Sequence, residues 1–400
     1  MFFGATAIES FIIIIVIFII VYWCLPRKYS WISFILCTVL LGVLAYHMVP
    51  NETDDLARYY QELDFMRERG EAELNRVFEQ NLYSFGTCRV AAYYFFFISK
   101  FPDNRWLQTI TIVIVYGLMF MVILKAAKRF NVNKLHLFMG VMFFLSTYWF
   151  YDTASGIRNG LSFAVAFACA YQHLFERKNI FLCIIGYILA IFTHTSGILP
   201  VIIVFAVLFT YKLDSKFINI FFIFMLLIGG YFVQFLAETT DNEWIAAIAE
   251  QSSGHGLDTT LESGTMFRVN LTVLIFVLFI LLFVSYYLKN NAYQEDKASR
   301  GFKFLILMLF FIIGTILSSL IFVRFARWIL PVTGALLFMT GMQFQSDQIN
   351  ETKKLVSYHL PPGHQIRVKL RPIMMLMFTG YTAVHFYYLC AGSSLYWIHF

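Results

Sequence analysis

The chain has 400 residues, 60% of them hydrophobic and only 14% charged, with a net charge of +6. A soluble domain carries about 25% charged residues, so the balance excludes an ordinary cytosolic enzyme and points to an all-α, polytopic membrane protein. Much of the positive charge sits in links between apolar segments, where it reports topology and gives no support to a nucleic-acid partner.

The N-terminus has neither a basic region nor a small-residue cleavage site, so Ile8 to Leu25 reads as a first membrane helix. A span needs about 20 apolar residues. Candidate spans follow at 6–25, 31–49, 105–124, 135–151, 158–175, 180–193, 196–211, 217–236, 269–288, 303–323, 327–343 and 373–396, about 12 in all. These make residues 1–400 a single membrane domain.

Loop charge sets the orientation. With Arg27 and Lys28 inside, the links holding Lys125 to Lys134, Arg177-Lys178, Lys212 with Lys216, Lys289 to Lys303 and Lys353 to Arg371 all fall inside, and every one is basic. The cytoplasmic basic loop is 344–371. The outward links are the long loop 50–104, then 152–157, 194–195, a second long loop 237–268, and 324–326, and both termini come out external. Residues 90–101 are apolar but short, and counting them as a span would reverse every later link. They read as an interfacial or re-entrant helix. Residues 55–80 mix charges at helical spacing and read as a surface helix. The six cysteines (Cys24, Cys37, Cys88, Cys169, Cys183, Cys390) form no CxxC pair, which argues against a zinc site or disulfide framework.

Several ionisable residues lie on the face that the topology rule leaves poor in positive charge, an arrangement expected of an anionic-substrate site. The first outward loop opens with Pro50-Asn51-Glu52-Thr53-Asp54-Asp55-Leu56-Ala57-Arg58-Tyr59-Tyr60. Asp54 and Arg58 are spaced to pair on one helix face. Thr53 or Asp54 also suits a helix N-cap, and the carboxylates beside tyrosine also suit sugar hydroxyls or a base role. Next comes Tyr151-Asp152-Thr153-Ala154-Ser155-Gly156-Ile157-Arg158-Asn159-Gly160, a turn and then a helix start facing outward. Helix N-termini favour anions, whereas Arg158 in that first turn opposes the dipole unless it shares a bound phosphate. A structural clamp between Arg158 and Asp152 is the simpler alternative.

His194 follows an apolar helix and is flanked by Thr193, Thr195 and Ser196. It suits a helix cap, a base for a sugar hydroxyl, or a hydrogen-bond donor to phosphate. Val323-Arg324-Phe325-Ala326-Arg327-Trp328 reads as a short turn with two arginines and no acid, fitted for snorkelling or for bidentate phosphate binding. Arg268 opens another span on the same face. No Walker motif, GxGxxG, HExxH, metal-spaced His/Cys run or membrane-centre acid is present, so no metal site and no cofactor is expected.

With these residues in place, the chain resembles the EpsG/Wzy-type polysaccharide polymerases of bacterial envelopes, over roughly residues 1–343. The likeness rests on the acidic-Tyr cluster Asp55 to Tyr60, the helix start Ile157-Arg158-Asn159, the helix-ending His194-Thr195-Ser196 and the late turn Arg324 to Trp328. It departs where relatives have Asp-Tyr near the start of the first cluster, which leaves Asp54 and Asp55 as alternatives. The resemblance implies a GT-C-like glycosyltransferase of the bacterial cytoplasmic membrane, its active site outward. That enzyme joins polyprenyl-pyrophosphate-linked oligosaccharides without a metal and works with membrane lipid and a chain-length regulator protein. It places His194, Asp55 and Arg158 in catalysis and Asp54, Arg58, Tyr59, Asp152, Arg268, Arg324 and Arg327 in substrate binding. A ligase-like or polyprenyl-phosphate-dependent transferase and, in another class, a lipid-linked oligosaccharide flippase are the competing expectations.

Overall fold

The computed structural model describes residues 7–50, 54–213, 273–281, 296–318, 323–355 and 375–387, with isolated positions between 220 and 239. Every regular element among these residues is a helix. In chain order they are α1 (Ala7–Cys24), α2 (Trp31–His47), α3 (Asp55–Arg69), α4 (Glu71–Glu79), α5 (Arg89–Ile98), α6 (Trp106–Arg129), α7 (Lys134–Thr147), α8 (Phe150–Ser155), α9 (Ile157–Tyr171), α10 (Ile180–Thr193), α11 (Ile198–Leu213), α12 (Asp296–Ser318) and α13 (Val323–Leu355). Residues 273–281 and 375–387 are also helical.

The bundle is a helical membrane protein built by close helix contact. α6 packs against α2 and α9, α9 against α10, and α7 and α12 against α13. Lipid and apolar side chains are equally nonpolar, so small residues that let backbones approach carry much of such packing. At Gly42 of α2 a β-carbon would stand 2.8 Å from Val113 of α6, so a larger residue would push the two helices apart. The outer faces are apolar and bare. Phe181, Leu182 and Ile188 of α10 are exposed beside the buried Cys183, Gly186 and Tyr187, as lipid-facing side chains are. Among the described residues, Arg27–His47 and Trp106–Arg129 are each long and apolar enough to cross a membrane, and five shorter apolar helices accompany them.

The links sort to two ends. Tyr22 Oη donates to Lys134 O at 2.7 Å, and Lys134 Nζ donates to Trp23 O and Leu25 O at 3.0 and 2.8 Å. Arg27 reaches Ala127 O, Arg129 pairs with Glu176, and Asn133 N donates to Gln343 Oε1 at 2.8 Å. The basic links at 25–30, 125–134 and 176–178 therefore share one end. At the other, Gln108 donates to Ala45 O and Met48 O and bonds Tyr60, and Tyr116 Oη donates to Tyr148 O at 3.0 Å.

Several expected bounds shift. The expected surface helix 55–80 is two helices, broken at Gly70, whose φ of +61° suits glycine. Residues 90–101 form α5, too short to span and packed against α10 and the loop helices. The span expected at 135–151 stops at Thr147, and a separate turn of helix, α8, leads into α9. The segment Arg324 to Arg327 is no turn, because α13 begins at Val323 and both arginines lie in its first two turns. α13 also runs to Leu355, so the first part of the expected basic loop 344–371 is helical. The loop 237–268 and most of the spans expected at 217–236 and 269–288 lie outside the described residues.

Candidate functional site

At the end opposite the basic links, four distant stretches of chain are joined by polar contacts. The first is the entry to α3. Asp54 holds the N-cap position with extended backbone, yet its side chain makes no capping bond. It accepts instead from Tyr151 Oη at 2.5 Å, across 97 residues, and so ties the loop helices to α8. The pair expected between Asp54 and Arg58 does not form. Arg58 Nη2 bonds Asp55 Oδ1 at 2.5 Å, one residue closer along α3, and both side chains are more than half exposed. Such a pair contributes little to stability, and it places Asp55 and Arg58 at the rim.

The second stretch is the corner between α8 and α9. Gly156 is the N-cap of α9 and offers no side-chain cap, so the first amide donors of α9 receive no side-chain acceptor from that position. A β-carbon at Gly160 would meet the Trp328 ring at 3.5 Å, which shows that indole lying along the first turn. Arg158 is the second residue of α9. Its Nε donates to Tyr59 Oη at 3.1 Å, and its guanidinium stands 5.6 and 5.5 Å from the Tyr59 and Phe85 ring centres. Burial pushes the Tyr59 phenol up, with the Arg158 charge opposing, so Tyr59 is a neutral partner. Its ring is 4.9 Å from Phe95, edge to face, and is buried within the protein. Tyr60 is likewise bound to Gln108, whereas Tyr93 is exposed.

The third stretch is the start of α13. Arg327 Nη1 lies 2.9 Å from Asp152 Oδ2, both mostly buried. The expected clamp between Asp152 and Arg158 is thus replaced by one to Arg327, because α13 brings that arginine to the α8 side of the corner. The pair is close but poorly aligned: Asp152 Oδ2 and Arg327 Nε are both buried without a hydrogen bond among the described residues. An anion arriving here would find an unused guanidinium N–H.

The fourth stretch is the turn between α10 and α11, a 3₁₀ turn over Thr195–Gly197. His194 precedes it and is 7% exposed. Its Nδ1 accepts from Ser196 N at 3.1 Å and lies 2.6 Å from Ser196 Oγ, which is 3.0 Å from Asn159 Oδ1 on α9. Ser162 Oγ of α9 donates to Ala190 O at 2.7 Å and pins the end of α10. Burial, and then the Arg158 charge, push the His194 imidazole down to about 3. It is therefore neutral at physiological pH and a weak base.

Asp54, Tyr59, Asp152, Arg158, His194 and Arg327 thus meet at one end, while Asp55 and Arg58 stand at its edge. Arg268 and the Arg324 side chain lie outside the described residues. Sequence reasoning assigned no role to Tyr151, Asn159 and Ser196. Asn159 and Ser196 stand beside residues that it did choose, and only the α9–α10 contact joins them. Among the described residues no group of three or more His, Cys, Asp or Glu is placed to hold a metal ion.

The family model described as the EpsG family matches residues 91–356. That stretch includes Asp152, Arg158, His194, Arg268, Arg324 and Arg327, leaves out Asp54 to Tyr60, and continues past residue 343, where the resemblance was expected to end. No curated protein and no solved structure matches the chain.

Proposed function

The chain belongs to the EpsG family, and on that premise we propose that it is a polysaccharide polymerase acting on lipid-linked oligosaccharides at the outer face of the bacterial cytoplasmic membrane. The observation that carries this reading is the arginine pair. Arg158 and Arg327, 169 residues apart in sequence, flank one corner at the N-terminus of α9, and Arg327 keeps a buried N–H with no hydrogen-bond partner among the described residues. Two guanidinium groups and a helix N-terminus suit a pyrophosphate.

The reaction is a single displacement. A hydroxyl of the acceptor sugar attacks the donor's anomeric carbon, a new C–O bond forms, and the bond to pyrophosphate breaks with its electron pair leaving on the phosphate oxygen. The anomeric centre inverts. Arg158 and Arg327 take up the growing negative charge, the role a metal plays elsewhere. Asp54, held at the site by Tyr151, takes the hydroxyl proton, and Asp55, paired outward with Arg58, sits too far out on the rim for that work. His194 contacts the reacting oxygens from the α10–α11 turn. No cofactor enters, because the pyrophosphate leaving group supplies the activation.

Deletion of the gene, followed by gel analysis of surface glycan, tests the reading. A polymerase loss leaves single repeat units on the surface. Loss of all surface glycan would instead assign the chain to lipid-linked oligosaccharide flipping.

A further inference from the structure

A short helix outside the membrane spans is expected to bury its rings and turn its polar residues to water. α5 buries rings on one face and bares rings on the other. Arg89, Tyr93 and Phe97 recur every fourth residue and so share one face of the helix. Arg89 is exposed, and Tyr93 and Phe97 are 57% and 58% exposed. Lys100 follows just past the helix end, is also exposed, and sets its Nζ 3.9 Å from the Phe96 ring centre. The stripe therefore runs cation, ring, ring, cation. On the opposite face the Phe95 ring is buried, 4.9 Å from Tyr59 and 5.2 Å from Phe85. Those two rings are the ones that stand beside the Arg158 guanidinium, and Tyr59 also accepts its Nε–H.

Two observations say what covers the bare face. α5 packs against α10, whose Ile188, Leu189 and Phe192 are exposed toward its His194 end, so the stripe continues a lipid-facing surface. Cations at both ends of a pair of rings also match a leaflet, with phosphates at headgroup level and apolar chains beside the rings. A helix of 10 residues is marginal in water by itself, so α5 needs contacts on its faces to hold its place. We propose that α5 is a brace: its Arg89–Tyr93–Phe97–Lys100 stripe lies in the outer leaflet against phospholipid, and that contact presses Phe95 onto the Tyr59–Phe85 cradle that positions Arg158. Lipid thus reaches the arginine through one short helix. The lipid contact and the brace stand on the geometry of α5, and only the consequence for turnover rests on the polymerase reading.

The test has two arms. In the first, full-length protein carrying p-benzoylphenylalanine at Tyr93 or Phe97 is irradiated in bacterial membranes, purified and weighed by mass spectrometry. Ile188 of α10 carries the same probe as the lipid-facing standard. Phospholipid adducts are expected at all three positions. A glycan or protein adduct at Tyr93 and Phe97, or no adduct there while Ile188 is labelled, overturns the proposal. In the second arm, amide exchange is followed in nanodiscs of phosphatidylethanolamine and phosphatidylglycerol. Phe97→Asp takes a ring out of the leaflet, so protection of residues 89–98 should fall roughly 10-fold or more, and protection of residues 56–63 in α3 should fall with it. Phe97→Leu should keep both, and Tyr93→Ser, a milder change on the same stripe, should lower both to a smaller degree. Loss of protection in α5 with α3 unmoved, in either Phe97→Asp or Tyr93→Ser, would show a helix that rests on lipid and braces nothing, and would overturn the link to Arg158. In turnover, Phe97→Asp should lower kcat with KM changed less, and Phe97→Leu should restore it. Should the chain prove not to polymerise glycan, the adducts and the exchange still decide what α5 touches.

Discussion

Gly197→Ala probes whether the α10–α11 turn is as tightly built as the site requires. A β-carbon there would collide with Ser162 Oγ and stand 2.7 Å from Ala190 O and 2.9 Å from Ala190 C. The hydroxyl can rotate away, but then Ser162 loses its 2.7 Å bond to Ala190 O. The Ala190 backbone can move only by shifting the end of α10, and His194 with it. Overpacking costs about 1–3 kcal/mol, and the lost hydrogen bond about 0.5–1.5 kcal/mol. The sum is about 2–4 kcal/mol. Gly117→Ala in α6 is the control, since nothing lies within 4 Å of its new methyl. It relieves a helix-interior glycine and should stabilise by about 0.5–1 kcal/mol. Thermal unfolding of both variants in one detergent, with polymer yield measured alongside, gives the comparison. Gly197→Ala should melt well below wild type and lose polymer, and Gly117→Ala should do neither. Equal melting temperatures and full polymer in Gly197→Ala would show that the turn has slack and would remove the basis for a fixed His194.

Arg158→Lys keeps the charge but loses the planar fork and the bond to Tyr59, so polymer should fall at least 10-fold while protein still reaches the membrane; normal polymer in both Arg158→Ala and Arg327→Ala would reject the anion site. Purified enzyme supplied with lipid-linked repeat units should polymerise in EDTA, whereas abolition with rescue by magnesium would make Asp54 and Asp55 metal ligands. Gln80→Cys and Lys178→Cys, both on exposed positions, should differ in whole cells: an impermeant thiol reagent should label the first and spare the second, and the reverse would invert the topology. Burial, and then the Glu73 charge, push Glu62 up to about 7, so the stability it contributes is full below the ordinary carboxylate range and is lost as pH rises through 7. The protection of α3 and α4 amides relative to their intrinsic, base-catalysed exchange rate should therefore fall between pH 5 and 8 in wild type, and Glu62→Gln should flatten that fall.

The helical membrane class, the grouping of the basic links and the family were legible in the linear sequence. These rest on apolar run length and on the placement of lysine and arginine, and each is a property of a segment and its immediate flanks. Arg158, His194 and Arg327 stood out as candidates for the same reason, as charge where the topology rule leaves little. Partners were not. Spacing predicted Asp54 with Arg58 and Asp152 with Arg158, whereas the folded chain joins Asp54 to Tyr151, Asp152 to Arg327 and Arg158 to Tyr59. Pairing depends on which helix ends meet, and these come from α3, α8, α9 and α13, whose contacts run across 97 to 175 residues of chain. The state of His194 was equally hidden. A histidine between threonines has an ordinary basicity on paper. Burial in the α10–α11 turn, the Arg158 charge and the Ser196 amide on Nδ1 make it a neutral ring with one nitrogen committed, and only folding brings those three influences to the same imidazole.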